Sequence, residues 1–199
     1  MSNQKSKSGK ERGRETKVFR LEVTGDFLLL LTLTWFFCGG RSLAALSLAA
    51  AAHELGHALA LVLQGQLPES LRMDGTGLCF RCPPPKGELR ELLRTLAGPG
   101  AGLALALILG KNGVPFLRLC ASASLALSGL NLLPASCLDG GRLLRSLAAL
   151  TLGPVPAEGL GAGMDWACIL LFLYLGLRGR GDWLLWGVWL LAHRLRRMM

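Results

Sequence analysis

The sequence predicts an all-α membrane protein: a polytopic bundle of four to six transmembrane helices with a short cytoplasmic hairpin loop. Three observations support this prediction. Hydrophobic residues make up 51% of the 199-residue chain, and the mean hydropathy is +0.42. Only 18% of the residues are charged. The charges cluster between long apolar runs, a pattern that is typical of multi-pass membrane proteins.

Six apolar segments supply the predicted helices. They are residues 27–40, 42–63, 95–110, 119–138, 159–177 and the tryptophan-rich 183–193. A bilayer crossing needs about 20 apolar residues, so the first segment must borrow flanking residues and the last is either a span or an interfacial helix. Pro134 is expected to break the helix of the fourth segment, which membranes tolerate only beside protein or a water-filled cavity.

The charged segments set the domain boundaries and the orientation. Residues 1–25 are polar and basic, and they are predicted to form a disordered cytoplasmic extension ahead of one membrane-embedded domain, 26–199. The segment 64–87 is rich in proline and glycine, which predicts a loop with a short hairpin near 71–80. Lysine and arginine accumulate in the extension and around this loop, and the positive-inside rule places both in the cytoplasm.

Charge and cysteine content exclude two other classes of protein. The net charge is +9, but the basic residues interrupt apolar segments instead of covering one polar face, so we expect no nucleic-acid partner. The six cysteines are scattered, which does not suit the disulfide framework of a small secreted protein. Cys79 and Cys82 form a single CxxC pair, interpreted either as plain loop thiols or as a redox or half-metal site.

The second apolar segment contains a motif with its own chemistry. The sequence His53-Glu54-Leu55-Gly56-His57 matches H-E-x-x-H, and in a helix the two histidines share one face and can reach one metal ion. Zinc suits imidazole nitrogen, and Glu54 lies where it can accept a proton from an attacking water. The alternative is two polar side chains satisfied inside a bundle. Ionisable residues at membrane depth usually mark function, which favours the metal site.

A third protein ligand is needed, because catalytic zinc sites usually have three protein ligands plus water. Asp139 is favoured, since its apolar segment is expected to descend to the same side of the membrane as the motif. Asp165 and Glu158 are its competitors. Gly140 and Gly141 permit close backbone approach next to Asp139. Asp139 could instead cap the following helix, and the residues alone leave that alternative open.

Two motifs together resemble a known family. HELGH in one apolar segment, with NLLPASCLDGG (131–141) at the end of a later one, resembles the site-2 protease family of intramembrane zinc metalloproteases. Within it, the short chain looks most like the branch that includes the stage IV sporulation protease FB. The resemblance covers about residues 42–145, which it marks as the core of a membrane-embedded metalloprotease domain.

The resemblance implies a site and a function. The implied residues are the zinc ligands His53, His57 and Asp139, the catalytic base Glu54, and the substrate-binding residues Asn131 and Pro134. The implied enzyme is an intramembrane metalloendopeptidase that cuts a membrane-associated precursor, such as a pro-sigma factor or an anti-sigma protein, in regulated intramembrane proteolysis during sporulation. The implied location is the bacterial cell membrane, with a multi-pass chain and an active site that faces the cytoplasm.

Other functions are left open by the sequence. A catalytically inactive membrane scaffold of the same fold is the main alternative. A zinc carrier would place ligands along a path, and a soluble zinc protease would not have apolar runs on both sides of its motif. Besides a protein substrate and the lipid bilayer, an inhibitory membrane partner and a homo-oligomer are left open.

Overall fold

The computed structural model describes residues 20–67, 69–74, 77–82, 84, 87–178 and 181–198. Within them the chain forms strands β1 (Arg20–Val23), β2 (Ser70–Asp74) and β3 (Gly77–Arg81). The helices are α1 (Gly25–Leu63), α2 (Glu88–Gly110), α3 (Pro115–Asn131), α4 (Asp139–Leu152), α5 (Pro154–Leu177) and α6 (Gly181–Met198). Helices α1, α2 and α5 are long and apolar enough to cross a membrane. The predicted all-α membrane bundle is therefore confirmed, while the number of crossings stays a prediction.

Helix α1 contains a chain reversal at Gly39. A straight helix of its 39 residues would be about 58 Å long. Yet Thr24, just before α1, donates its backbone N–H to the Met73 carbonyl oxygen at 3.0 Å. The stretch from Leu63 to Met73 can reach at most about 35 Å. The chain must therefore turn back inside α1, and it does so at Gly39, where φ is 79° and ψ is 162°. The two halves of α1 correspond to the first two predicted apolar segments.

Gly39→Ala is expected to lower the free energy of unfolding by about 1–3 kcal/mol, because backbone angles in this region are essentially restricted to glycine. Gly40→Ala is the matched control. Its added Cβ would meet the Trp35 ring at 3.5 Å, which is an ordinary contact. Denaturation in detergent, followed by circular dichroism, measures both variants. Equal stability of the two would contradict a glycine-dependent reversal at this position.

The three strands form one sheet with β2 in the centre. Strand β1 runs parallel to β2, and β2 pairs antiparallel with β3. The hairpin predicted near residues 71–80 is therefore confirmed. The prediction of disorder for 1–25 is wrong from Arg20 onward, because this backbone pairs with β2. Residues 1–19 lie outside the described residues. The alternating sequence Arg-Leu-Glu-Val of β1 was the available signal for a strand.

Helices α1, α2 and α3 approach one another through small residues. A Cβ added to Gly56 of α1 would overlap the Ala97 carbonyl and the Ala101 methyl group of α2. A Cβ added to Gly102 of α2 would overlap the Ser128 hydroxyl of α3. Small residues at such crossings allow close packing between membrane helices. The H-E-x-x-H motif is thereby held directly against α2.

The fourth predicted helix is shorter than its apolar segment. Helix α3 ends at Asn131, and residues 132–138, here named the linker, are non-helical. Pro134 lies in the linker, as expected for a residue that cannot continue a helix. An apolar cluster packs the linker against α5 and α6; its buried members are Ala135, Cys168, Ile169, Phe172 and Leu190. Asp139 follows the linker directly, as the first residue of α4.

Candidate metal centre

Three side chains from α1 and α4 converge on one point. The His53 Nε2 and Asp139 Oδ2 atoms are 3.0 Å apart, the His57 Nε2 and Asp139 Oδ2 atoms are 3.1 Å apart, and the two Nε2 atoms are 3.2 Å apart. His53 and Asp139 are buried, and His57 is partly buried. Across the described ranges, this is the one group of three or more His, Cys, Asp or Glu side chains close enough to share a metal ion.

The geometry of this group fits zinc. Three ligands bound tetrahedrally at about 2.0–2.1 Å would lie about 3.3 Å from one another. The three distances in the structure are close to that value. Two imidazole nitrogens and one carboxylate oxygen leave a fourth tetrahedral position open, which is typical of catalytic zinc sites. A bound cation would also offset the burial of three polar side chains in apolar surroundings.

A backbone carbonyl of α2 orients His57. The His57 Nδ1 atom lies 2.8 Å from the Arg94 carbonyl oxygen. That oxygen can only accept, so Nδ1 donates and Nε2 keeps the lone pair that a metal needs. Gly98 permits this approach, because a Cβ there would overlap the His57 ring. Sequence reasoning assigned neither residue to the metal centre. The Gly-Pro pair inside an apolar run was the available signal for Gly98, whereas a backbone role for Arg94 leaves no signal.

Gly98→Ala is expected to weaken zinc binding by about 10–100-fold, the range found when groups that orient metal ligands are disturbed. The physical reason is the overlap between the new methyl group and the His57 imidazole. Gly100→Ala on the same helix is the control, because nothing lies within 4 Å of an added Cβ there. Competition with a zinc-binding dye measures both affinities. Equal affinities would show that α2 does not constrain His57.

Asp139 serves the cluster and does not cap α4. The cap residue is Leu138, with no side-chain capping hydrogen bond, and Asp139 is the first helical residue. Asp139 lies outside the three long apolar helices. Burial alone would raise the pKa of its carboxyl, but hydrogen bonds with His53 and His57 outweigh burial and hold that pKa well below its usual range. The carboxylate is therefore ionised, as a metal ligand must be.

Charged side chains of α2 and α4 surround the cluster. Arg142 donates a 2.7 Å hydrogen bond to Glu91, and its other terminal nitrogen lies 3.9 Å from the Asp139 carboxylate. Arg94 lies 3.7 Å from the same Glu91. Glu54 is partly buried and near enough to both histidines, Asp139 and Arg142 to interact with them electrostatically. Sequence reasoning missed Arg142 and Glu91; the spacing of three between Asp139 and Arg142 on one helix was the available signal.

The competing carboxylates lie elsewhere. Asp165 is buried, but its oxygens accept hydrogen bonds from the backbone and the hydroxyl of Ser136 in the linker. Glu158 is exposed on α5. The structure therefore brings neither of them to the two motif histidines. From the sequence, Asp165 was a possible third ligand. A carboxylate in an apolar segment is expected to have a polar or metal partner, but the sequence does not identify that partner.

The residues predicted to contact substrate lie close to the start of α4. Asn131 ends α3, and its Nδ2 donates to the Leu127 carbonyl of its own helix at 3.1 Å. Pro134 lies in the linker, partly buried. Substrate contact stays a prediction for both.

Cys82 follows β3 and is partly buried, while the side chain of Cys79 lies outside what the structure describes. The CxxC pair can therefore still be interpreted either as plain loop thiols or as a redox or half-metal site.

An apolar helical bundle with a buried His-His-Asp cluster defines a class: a membrane protein with a candidate metallohydrolase centre. No family model matches the sequence. The chain is 30% identical over 137 residues to a zinc metalloprotease of Methanocaldococcus jannaschii, a match that covers 63% of this chain and 39% of that protein. The chain thus spans less than half the length of this relative. In structure, it is similar to a site-2 protease from Methanocaldococcus jannaschii, with a TM-score of 0.67, 24% identity, and coverage of 85% of this chain and 86% of the other.

These comparisons confirm the resemblance to the site-2 protease family that the two sequence motifs indicate. The structural comparison shows that this membrane protein has the site-2 protease fold. Neither comparison distinguishes the branch of the stage IV sporulation protease FB, so that assignment stays a prediction.

Proposed function

We propose that this chain is an intramembrane zinc metalloendopeptidase of the site-2 protease type. One observation carries the proposal. In an apolar bundle, His53, His57 and Asp139 bring their ligating atoms within 3.2 Å of one another, with Glu54 beside them. The name of the archaeal zinc metalloprotease and the site-2 protease fold support the same activity. Zinc is the cofactor, and the two histidines and Asp139 are its protein ligands.

The chain's own residues supply the proton transfers and the substrate contacts. Zinc at this site would polarise the scissile carbonyl and lower the pKa of water. Glu54 accepts a proton from the attacking water and then donates it to the leaving peptide nitrogen. The amide of Asn131 binds the substrate strand or the developing oxyanion, and Pro134 keeps the neighbouring backbone out of a helix. The substrate must unwind locally, because a helical peptide bond is hydrogen-bonded and shielded.

The proposed active site faces the cytoplasm in a multi-pass chain. The reversal at Gly39 and the pairing of β1 with β2 support this orientation, because they bring the chain before α1 and the hairpin after it to the same end of the bundle. Basic residues lie in or next to both segments, including Arg20 in β1, Arg72 in β2 and Arg90 in α2. The positive-inside rule favours the cytoplasm for that end. Water then reaches the centre from the same side.

The proposed substrate is a membrane-associated precursor that is cleaved in or next to its transmembrane segment. The position of the centre in an apolar bundle supports this class, since a peptide bond must come to it from the bilayer or from a helix end. The resemblance to the sporulation branch favours a pro-sigma factor or an anti-sigma protein, processed by regulated intramembrane proteolysis in a bacterial cell membrane.

A reconstituted cleavage assay tests the proposed function. Purified protein in liposomes is mixed with single-span peptides whose helix carries a Gly-Pro pair to ease unwinding, and the products are identified by mass spectrometry. We expect cleavage in or beside the span, loss of cleavage with a chelator, and recovery on adding zinc. Folded, zinc-loaded protein that cleaves none of the peptides would favour the inactive scaffold.

A further inference from the structure

We propose that Asp165 of α5 is a positioning residue for the metal ligand Asp139, acting through the backbone of the linker. The proposal rests on the proposed function, since it concerns the same centre. Asp165 is 6% exposed, and both carboxylate oxygens are engaged. Oδ1 accepts the Ser136 backbone N–H at 2.6 Å. Oδ2 accepts the Ser136 hydroxyl at 2.7 Å and the Arg194 Nη1 at 3.1 Å.

Ser136 lies three residues before Asp139, in the non-helical linker. Its backbone N–H therefore has no helical carbonyl as an acceptor. A buried backbone N–H without an acceptor is costly, and a carboxylate is among its strongest acceptors. Because Asp165 accepts from both the backbone and the side chain of Ser136, it fixes the position and the rotation of this residue. The linker is therefore anchored to α5 within one turn of the metal ligand.

Helix α4 fixes the other side of the linker. A Cβ at Gly140 would overlap the Leu132 carbonyl group, and a Cβ at Gly141 would overlap the Ala135 carbonyl group. The start of α4 and the linker thus lie in direct backbone contact, with no space for either to shift toward the other. Asp139 sits at their junction. The backbone from which its carboxylate projects is therefore held by the same linker that binds Asp165.

Arg194 of α6 compensates the buried charge of Asp165. A buried carboxylate is costly unless it is paired, and the Arg194 guanidinium supplies the opposite charge at 3.1 Å. The ion pair is not the sole contact of α5 with α6, because an apolar cluster also joins them; it includes Cys168, Ile169, Phe172 and Leu190. The Asp165 carboxylate accepts its other two hydrogen bonds from Ser136 in the linker. These bonds indicate a role in positioning Asp139.

Zinc affinity of the detergent-purified full chain tests the assignment. Asp165→Asn keeps the size of the side chain but removes its charge and places an NH₂ group where an acceptor is needed. We expect about 10–100-fold weaker zinc binding, the range for groups that orient metal ligands. The visible spectrum of the Co²⁺-substituted protein should also change, because coordination by Asp139 is altered. Ser124→Ala is the control: it removes a buried 2.9 Å hydrogen bond to the Gly102 carbonyl, away from the linker, and should change neither readout.

Ser136→Ala decides the question if Asp165→Asn does not fold. It removes the hydrogen bond from the Ser136 hydroxyl to Asp165 and keeps both members of the Asp165–Arg194 pair, so we expect about 2–10-fold weaker zinc binding. Wild-type affinity and an unchanged Co²⁺ spectrum in either folded variant would overturn the proposal. A wild-type chain that binds zinc but cleaves no peptide overturns the protease function alone. A folded wild-type chain that binds no zinc overturns both.

Discussion

Glu54→Gln is expected to slow peptide hydrolysis by about 10²–10⁴-fold, the contribution of a general acid–base, while zinc stays bound. Glutamine matches glutamate in size but cannot take the proton of the attacking water. Glu54 is partly buried and near enough to both histidines and Asp139 to interact with them electrostatically. It follows His53 directly in α1, so its backbone is fixed by the same helix that carries two of the proposed ligands.

The matched control is Glu158→Gln, the same substitution at an exposed position of α5. Initial cleavage rates in liposomes are compared after the zinc content of each variant has been measured. The control should cleave at the wild-type rate. If the Glu54→Gln variant cleaves as fast as the control, the general base must be another residue.

Asp139→Ala is expected to remove zinc from the purified protein. Four-ligand zinc sites have apparent binding free energies of about 10–16 kcal/mol, so loss of one ligand weakens affinity by roughly 10²–10³-fold. Asp139 is the one carboxylate that contacts both His53 Nε2 and His57 Nε2 among the described residues. Without it, two neutral imidazoles hold the ion, and no protein charge neutralises it.

Zinc per chain, measured by elemental analysis after desalting, checks this expectation. Wild type and Glu54→Gln should carry close to one equivalent, and Asp139→Ala should carry little. Glu158→Ala again serves as the control, with a carboxylate removed far from the cluster. Full zinc content in Asp139→Ala would mean that the third ligand is misassigned.

Local patterns made the candidate catalytic motif readable from the sequence. His53 and His57 share a helix face because their spacing alone dictates it, and Glu54 follows from its position between them. Asp139 could be predicted as the third ligand because Pro134 and two glycines indicate a helix break beside it. The fold class followed from the alternation of apolar segments and charged loops, which the bilayer itself imposes.

Contacts that use the backbone were not readable from the sequence. The Arg94 carbonyl orients His57, and the Ser136 N–H binds Asp165. Every residue has a backbone carbonyl, and every residue except proline has a backbone N–H, so nothing in the sequence marks these two. The parallel pairing of β1 with β2 joins segments separated by the whole of α1. This pairing depends on the reversal at Gly39. The sequence contains many glycines, and nothing in it shows that this one forms a turn.

Zinc K-edge X-ray absorption of the detergent-purified chain is the most direct test of the central claim. The account predicts a zinc ion bound only by nitrogen and oxygen at about 2.0–2.2 Å, with the signature of two imidazoles. A sulfur shell at about 2.3 Å would place zinc on cysteines instead. That result, or the absence of zinc from folded protein, would contradict the proposed His53, His57 and Asp139 centre.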